Sequence, residues 1–526
     1  MAATALPRSE PSADRAALAR FLAEASGASR VDITGFERLA GGAIQENWGF
    51  DALFSGGRYA GTQQLVLRTD APTGLESSLG RIEEFAVLRA VFAAGVKAPE
   101  PLFACADPAV FRKPFFVMRR VAGTAQGRRI TTDSALEPVL PALASRLGQE
   151  LARIQSIRPP RADLAFLPAI DAAQHIAGFR TYLDTHPNPR PVLEWAIDWL
   201  ASHRPEPVAP VLCHRDFRTG NYMLYGSELT GILDWEFAGW GDPDEDIGWF
   251  CCKGWRFARL DREAGGIAAR ASFYEGYESA AGRRLDPERV RFWEVLANVR
   301  WAVIALQQGD RNLIGGARDL GTAIIGRRAS ECELELLMML DPGGSPSDGP
   351  SKSRPALPDS LRDRPSGIGL VALGRELLLD ELLPLLPPER HRELRLVATA
   401  MAMAEREAIA GEAPAEEIGV CLRRFYAEAP TPTLPLPPPQ AGEGRVGVER
   451  GRAGAVHRWS SPAETGEGWA AELNALLHRF AADLRVGSFA SCDARARAAR
   501  AVLWRLTILK LREGNPSFLA ENGFGE

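Results

Sequence analysis

The chain has 526 residues, 46% of them hydrophobic and 25% charged, with a formal net charge of −5. At roughly 100 to 200 residues per domain this length calls for more than one core, and the slight acidity gives no electrostatic footprint for nucleic acid. No apolar run approaches the roughly 20 residues a membrane helix needs, the N-terminal stretch MAATALPRSEPSADRAALARF lacks an apolar signal core, and seven cysteines without a CxxC pair read as reduced thiols. A cytoplasmic protein with neither nucleic acid nor membrane as partner is therefore expected.

In chain order, residues 31–70 read as strands around a glycine turn at Gly41-Gly42, with a second turn at Ser55-Gly56-Gly57 and then the apolar run QLVLRTD. Residues 79–94 place Ile82, Phe85, Leu88 and Val91 at helical spacing, and Gly95 is a natural stop. PLFACA and PFFVMRRVAG then read as two further strands split by a turn at Arg112-Lys113-Pro114. Strands, one helix, then strands make a small α+β lobe over residues 1–120.

Residues 121–340 are mostly helical in pattern, interrupted by VLCHRDFRTGNYMLYGSELTGILDWEFAG, which alternates short strands with polar loops. Residues 341–365 are rich in Pro, Gly, Ser and charge and read as a linker. Beyond it, residues 366–526 show helical periodicity and are expected to form a separate all-α domain. An insertion near 430–467, dense in Pro and Gly, is expected to be disordered.

The chemistry sits in the interruption. In CHRDFRTGN, Asp216 lies five residues before Asn221, and ILDWE brings Asp234 thirteen residues later at the end of an apolar strand. Phosphoryl transfer needs a carboxylate to orient the attacking hydroxyl and accept its proton, plus hard oxygen donors for magnesium. Asp216 can be the first, Asn221 and Asp234 the second. Downstream, GDPDEDIGWF reads as a helix start with Asp242 at the cap and Glu245 completing a capping box.

These residues resemble the signature of the aminoglycoside phosphotransferase and choline kinase-like family over about residues 30–335. The resemblance implies a bilobal protein-kinase-like fold, with a small β-rich N-lobe and a helical C-lobe. It further implies ATP and Mg2+ as cofactors, Asp216 as catalytic carboxylate, Asn221 and Asp234 as metal ligands, a mainly structural His214, and Asp246 as a brace for the active loop. On the nucleotide side it implies Gly41 and Gly42 as the phosphate-covering turn and Met118 on the strand against which adenine stacks. Kinases carry a strand lysine paired with a helix glutamate, but this chain has only five lysines and the two before residue 214, Lys97 and Lys113, fall beside prolines. Arg68 takes that place, with Glu84 as its expected partner ahead of Glu83.

Arg68 in LVLR, the helix EEFAVLRAV and the strand PFFVM are most similar to the kinase-like domains fused to acyl-CoA dehydrogenases, which implies a hydroxyacyl-CoA or another hydroxylated small metabolite as acceptor. An aminoglycoside or amino-alcohol kinase and a non-catalytic nucleotide-binding module are the alternatives. Trp249, Trp255, Arg256 and Trp301 are candidate lining for the acceptor cleft. The C-terminal part resembles an uncharacterised helical family, which implies a protein partner.

Overall fold

The structure, a computed structural model, describes residues 12–39, 45–70, 78–313, 320–344, 367–427, 467–491 and 493–524. Gly41 and Gly42, most of the expected linker at 341–365 and nearly all of the expected insertion at 430–467 lie outside the described residues. The chain divides into two compact units, residues 1–179 with 200–301, and residues 180–199 with 302–526.

The first unit opens with α1 (Ser12–Ser26), a helix to which the sequence reading assigned no element. Strands β1 (Arg30–Arg38), β2 (Gln45–Ser55) and β3 (Gly61–Asp70) follow, then α2 (Arg81–Ala93), β4 (Pro101–Cys105), the short α3 (Pro108–Phe111) and β5 (Phe115–Arg119). The five strands form one antiparallel sheet in the order β1-β2-β3-β5-β4. Because successive side chains of a strand point to opposite faces, the sheet serves two cores. Leu65, Leu67, Phe115 and Val117 join Leu18 and Leu22 of α1 and Phe111 of α3 on one face. Phe116 turns the other way, toward Phe85 of α2, with ring centroids 5.9 Å apart. Arg68 pairs with Phe116 in the β3–β5 register, so alternation alone aims it at α2.

The helical lobe of this unit contains α4 (Gly127–Thr132), α5 (Leu140–Ile154), the start of α6 (Ala172–Thr185) and the end of α7 (Pro191–Ser202). It continues with the two-stranded pairs β6 (Val211–Cys213) with β9 (Gly239–Gly241) and β7 (Tyr222–Tyr225) with β8 (Glu228–Ile232), then α8 (Glu245–Cys251), α9 (Arg270–Ala281) and α10 (Pro287–Leu313). Helices α6, α7 and α10 contribute residues to both units. One apolar core runs from Val87, Leu88 and Val91 of α2 through Leu143, Leu147 and Leu151 of α5 to Phe217, Tyr222, Trp235 and Phe250 around the loops.

The second unit is helical among its described residues: α11 (Leu320–Gly326), α12 (Ala329–Leu340), α13 (Gly367–Glu376), α14 (His391–Ala410), α15 (Ala413–Ala427), α16 (Glu467–Arg485), α17 (Ala494–Gly514) and α18 (Pro516–Glu521). Helix α17, capped by Asp493 accepting from Ala496 N at 2.8 Å, is buried along most of its length and packs against α12, α14 and α15. Among the described residues no helix is long and apolar enough to cross a membrane.

The tightest seam in the first unit is between α5 and α9. Gly148 and Gly276 face across it, and a Cβ on Gly276 would run into the Ser145 carbonyl while one on Gly148 would strike the Phe273 carbonyl. Both obstacles are backbone and cannot swing aside. Gly276→Val is therefore expected to cost about 3 kcal/mol or more, at the upper end of overpacking penalties, and a thermal melt of the full chain should show the midpoint falling by several degrees relative to Gly178→Val, whose Cβ would meet nothing within 4 Å.

Candidate active site

The loop between β6 and β7 carries His214, Arg215, Asp216 and Asn221. Its shape is set by main-chain bonds to a buried carboxylate: Asp246 accepts His214 N and Arg215 N, each at 2.7 Å. Burial and the neighbouring Glu245 push the Asp246 carboxyl up to about 7, against the pull of those two N–H groups. Arg215 adopts a left-handed backbone, φ 61°, a conformation few side-chain-bearing residues take without such support. His214 is fully buried, and burial lowers its pKa. Its Nε2 lies 2.9 Å from Leu233 O and its Nδ1 accepts Asp216 N at 3.2 Å, with the ring 4.5 Å from that of Trp235. Together with Leu233 N donating to Asn221 O at 2.8 Å, these contacts zip the His214–Asn221 loop to the segment that delivers Asp234.

Asp216 is held by three donors. Its Oδ1 accepts Arg218 Nε at 2.9 Å and Trp249 Nε1 at 3.0 Å, and its Oδ2 accepts Asn221 Nδ2 at 2.5 Å. Asn221 also spends that nitrogen on Asp216 O at 3.0 Å, so its amide oxygen is turned away and has no hydrogen-bond partner among the described residues. Asp234, left-handed at φ 70°, gives one oxygen to Arg68 Nη2 and is 26% exposed. Against the desolvation that burial imposes, the Arg68 guanidinium holds its carboxyl below the usual range. The Asn221 Oδ1 and the second Asp234 oxygen are two hard donors, a set that fits a magnesium ion whose other ligands are waters and phosphate oxygens.

Arg68 donates Nε to Glu84 at 3.0 Å while Nη2 reaches Asp234. Glu83 instead caps its own helix, accepting Gly80 N at 3.0 Å. The cluster is larger than the sequence reading anticipated. Arg81, 1% exposed, also bonds Glu84 and lies 2.9 Å from Asp70. Glu236 accepts Gln45 Nε2 and Ser78 Oγ, both at 2.7 Å, and sits 3.8 Å from both guanidinium groups; burial and the nearby Asp234 push it up to about 7. Arg81 stands one helical turn before Glu84 and could have been found on that spacing; Gln45 and Glu236 are brought in only by the fold. Met118 lies on β5, part-buried, opposite Val66.

The capping box does not form. Helix α8 starts at Glu245, and the Asp242 side chain accepts Asp244 N at 2.9 Å and meets Arg289 at 2.6 Å. Glu245 turns inward to His175, Arg215 and Arg300 at 3.3, 3.6 and 3.6 Å, because two guanidinium groups and an imidazole offer its buried carboxylate more than the single backbone N–H of a capping box. Trp249 and Trp255 are buried with centroids 5.1 Å apart, and Trp255 lies 4.6 Å from Trp301. Arg256 is bound to Cys251 O at 2.8 Å and Leu260 O at 3.2 Å, which ties it to its own loop.

Residues 36–293, which hold every group just described except Arg300 and Trp301, match the model of the phosphotransferase enzyme family. The chain carries a phosphotransferase-family domain. Its five-stranded lobe and helical lobe make a kinase-like fold. The sequence is 30% identical over 203 residues to mouse acyl-CoA dehydrogenase family member 10 and 31% identical over 202 residues to chicken acyl-CoA dehydrogenase family member 11, in each case over 36% of this chain. It spans only 18% and 25% of the length of those relatives. Among solved structures, a candidate aminoglycoside phosphotransferase from Ralstonia eutropha is similar at 22% identity and a TM-score of 0.49, covering 60% of this chain and 95% of that one. Spectinomycin phosphotransferase in complex with ADP and spectinomycin is similar at 12% identity and a TM-score of 0.41, over 60% and 98%.

Removing the guanidinium of Arg68 strands buried carboxylates. Arg68→Met is expected to destabilise the chain by about 3 to 5 kcal/mol, the usual cost of leaving a buried charge unpaired, whereas Arg68→Lys keeps the charge but loses one arm of the fork and should cost less. Chemical denaturation of the two variants side by side measures the difference; equal stability of Arg68→Met and the unaltered chain would contradict the ion-pair network.

Proposed function

We propose that the phosphotransferase-family domain transfers the γ-phosphoryl group of ATP to a hydroxyl of a small metabolite. One observation carries the reading: Asp216 is locked by three donors, while Asn221 and Asp234 beside it each keep an oxygen without a partner among the described residues. Asp216 orients the acceptor hydroxyl and takes its proton. Asn221 Oδ1 and Asp234 hold magnesium, which when bound supplies positive charge to the triphosphate. Arg68, fixed by Glu84, stands in the place of the phosphate-gripping lysine, and Gly41, Gly42 and Met118 are assigned to the nucleotide side.

For the acceptor we favour a hydroxyacyl-CoA or a similar hydroxylated metabolite, supported by the acyl-CoA dehydrogenase names of the matched relatives. ATP-consumption screening against hydroxyacyl-CoA, amino-alcohol and aminoglycoside panels tests it. With the acceptor in hand, Asp216→Ala should lower kcat by on the order of a hundredfold or more with the KM for ATP little changed; an Asp216→Ala chain turning over at the native rate would overturn the mechanism.

A second reading, a non-catalytic nucleotide-binding module, is favoured by one specific contact: Arg68 is bonded to Asp234 itself, so the assigned metal ligand already has a cationic partner. The readings separate on magnesium. A catalytic site should bind ATP more tightly by about tenfold or more with Mg2+ than with EDTA, and Asp234→Asn should abolish that difference; a magnesium-independent ATP affinity supports the non-catalytic module.

A further inference from the structure

Beside Asp216 stands a cation that the phosphotransfer scheme above uses only as one of three donors to that carboxylate. Arg218 donates Nε to Asp216 Oδ1 at 2.9 Å and Nη1 to Thr219 O at 3.3 Å. Its Nη2 has no hydrogen-bond partner among the described residues, and the side chain is 23% exposed. The guanidinium lies over the Trp255 ring, 4.6 Å from the centroid. Trp255 is itself wedged between Trp249 and Trp301, so the platform beneath the guanidinium cannot tip.

Two features make this more than a brace for the carboxylate. Asp216 already has donors from Asn221 and Trp249, so it does not need a third to be oriented. Arg218 also spends only Nε and Nη1 on acceptors among the described residues, which leaves Nη2 beside the carboxylate with hydrogen-bonding capacity to spare. One fixed guanidinium therefore both touches the carboxylate assigned as base and keeps a donor for an anion. The other nearby cations are committed: Arg68 to Glu84 and Asp234, Arg256 to two carbonyls, and Arg300 to Glu245 and the face of Trp249, 4.6 Å from its centroid.

We propose that Arg218, steadied on Trp255, is the side chain that neutralises the phosphoryl group during its transfer. The inference rests on the phosphotransferase reading. In the step, the acceptor oxygen bonds to the γ-phosphorus as the bond from that phosphorus to the bridging oxygen breaks; the electron pair departs with ADP and the hydroxyl proton passes to Asp216. Negative charge is then spread over three equatorial oxygens. A guanidinium held flat beforehand meets them without reorganising, which is where a fixed charge is worth most.

The test needs no acceptor. The probes are MgADP alone and MgADP with aluminium fluoride, which mimics the planar phosphoryl group, titrated into the full chain by calorimetry. Fluoride should tighten MgADP binding to the native chain by about a hundredfold, as transition-state mimics do. Arg218→Gln should leave the MgADP Kd within about twofold, which reports an intact fold, yet lose at least about tenfold of the tightening. Arg218→Lys and Trp255→Leu should each lose part of it, and Asp216→Asn, which spares the Arg218 charge, should retain it. Full tightening in Arg218→Gln overturns the proposal. A native chain that binds MgADP with no response to fluoride overturns the phosphotransferase reading and this inference with it.

Discussion

The fork of Arg68 is the constraint on which the site depends. A guanidinium buried under the sheet reaches Glu84 on α2 with one nitrogen and Asp234 with another, so the helix of the small lobe and the loop of the helical lobe are positioned by the same side chain. Lysine, a compact point charge on a flexible stem, could satisfy either carboxylate but has no rigid fork to span both. The requirement is severe because Glu84 and Glu236 are almost wholly buried, and a carboxylate taken out of water persists in charged form only if paired. Arg81 and the polar groups of Gln45 and Ser78 complete the pairing. The scarcity of lysine in this chain is thus matched by a geometry that arginine alone completes.

Around that constraint the active loop is built from main chain. Asp246 receives two consecutive backbone N–H groups, and this fixes Arg215 in a left-handed conformation that turns the chain and presents Asp216. Glu245, one residue earlier, faces the opposite way into a buried set of cations, where Arg215 and His175 overcome desolvation and draw its carboxyl down to about 2. Two adjacent carboxylates therefore do different structural work, one holding the backbone of the loop and the other holding the side chain of Arg215.

Much of this was legible in the sequence because it rests on local periodicity and fixed spacing. The apolar run QLVLRTD marked the strand that carries Arg68, the helical pattern from Ile82 to Val91 located α2, and the intervals from Asp216 to Asn221 and Asp234 singled out the candidate site. Helix α1 has no element assigned in the sequence reading: its only large apolar residues are Leu18, Phe21 and Leu22, and Leu18 and Leu22 become core only because the sheet supplies Phe115 and Val117 to cover them. The capping box at Asp242 was a sound local pattern that failed for a non-local reason, since Glu245 is drawn to His175, Arg215 and Arg300, residues far away in sequence.

What the sequence determined by itself was the set of candidate site residues and the elements that carry them, because hydrophobic period and residue spacing are properties of short stretches. Only the tertiary structure decided which charges meet. Gln45 joins Glu236 across 191 positions, Trp249 reaches Asp216 across 33, and Arg68 reaches Asp234 across 166. The physical reason is that the energy of a buried charge depends on whatever the fold places within a few ångströms of it, and no local pattern records that neighbourhood.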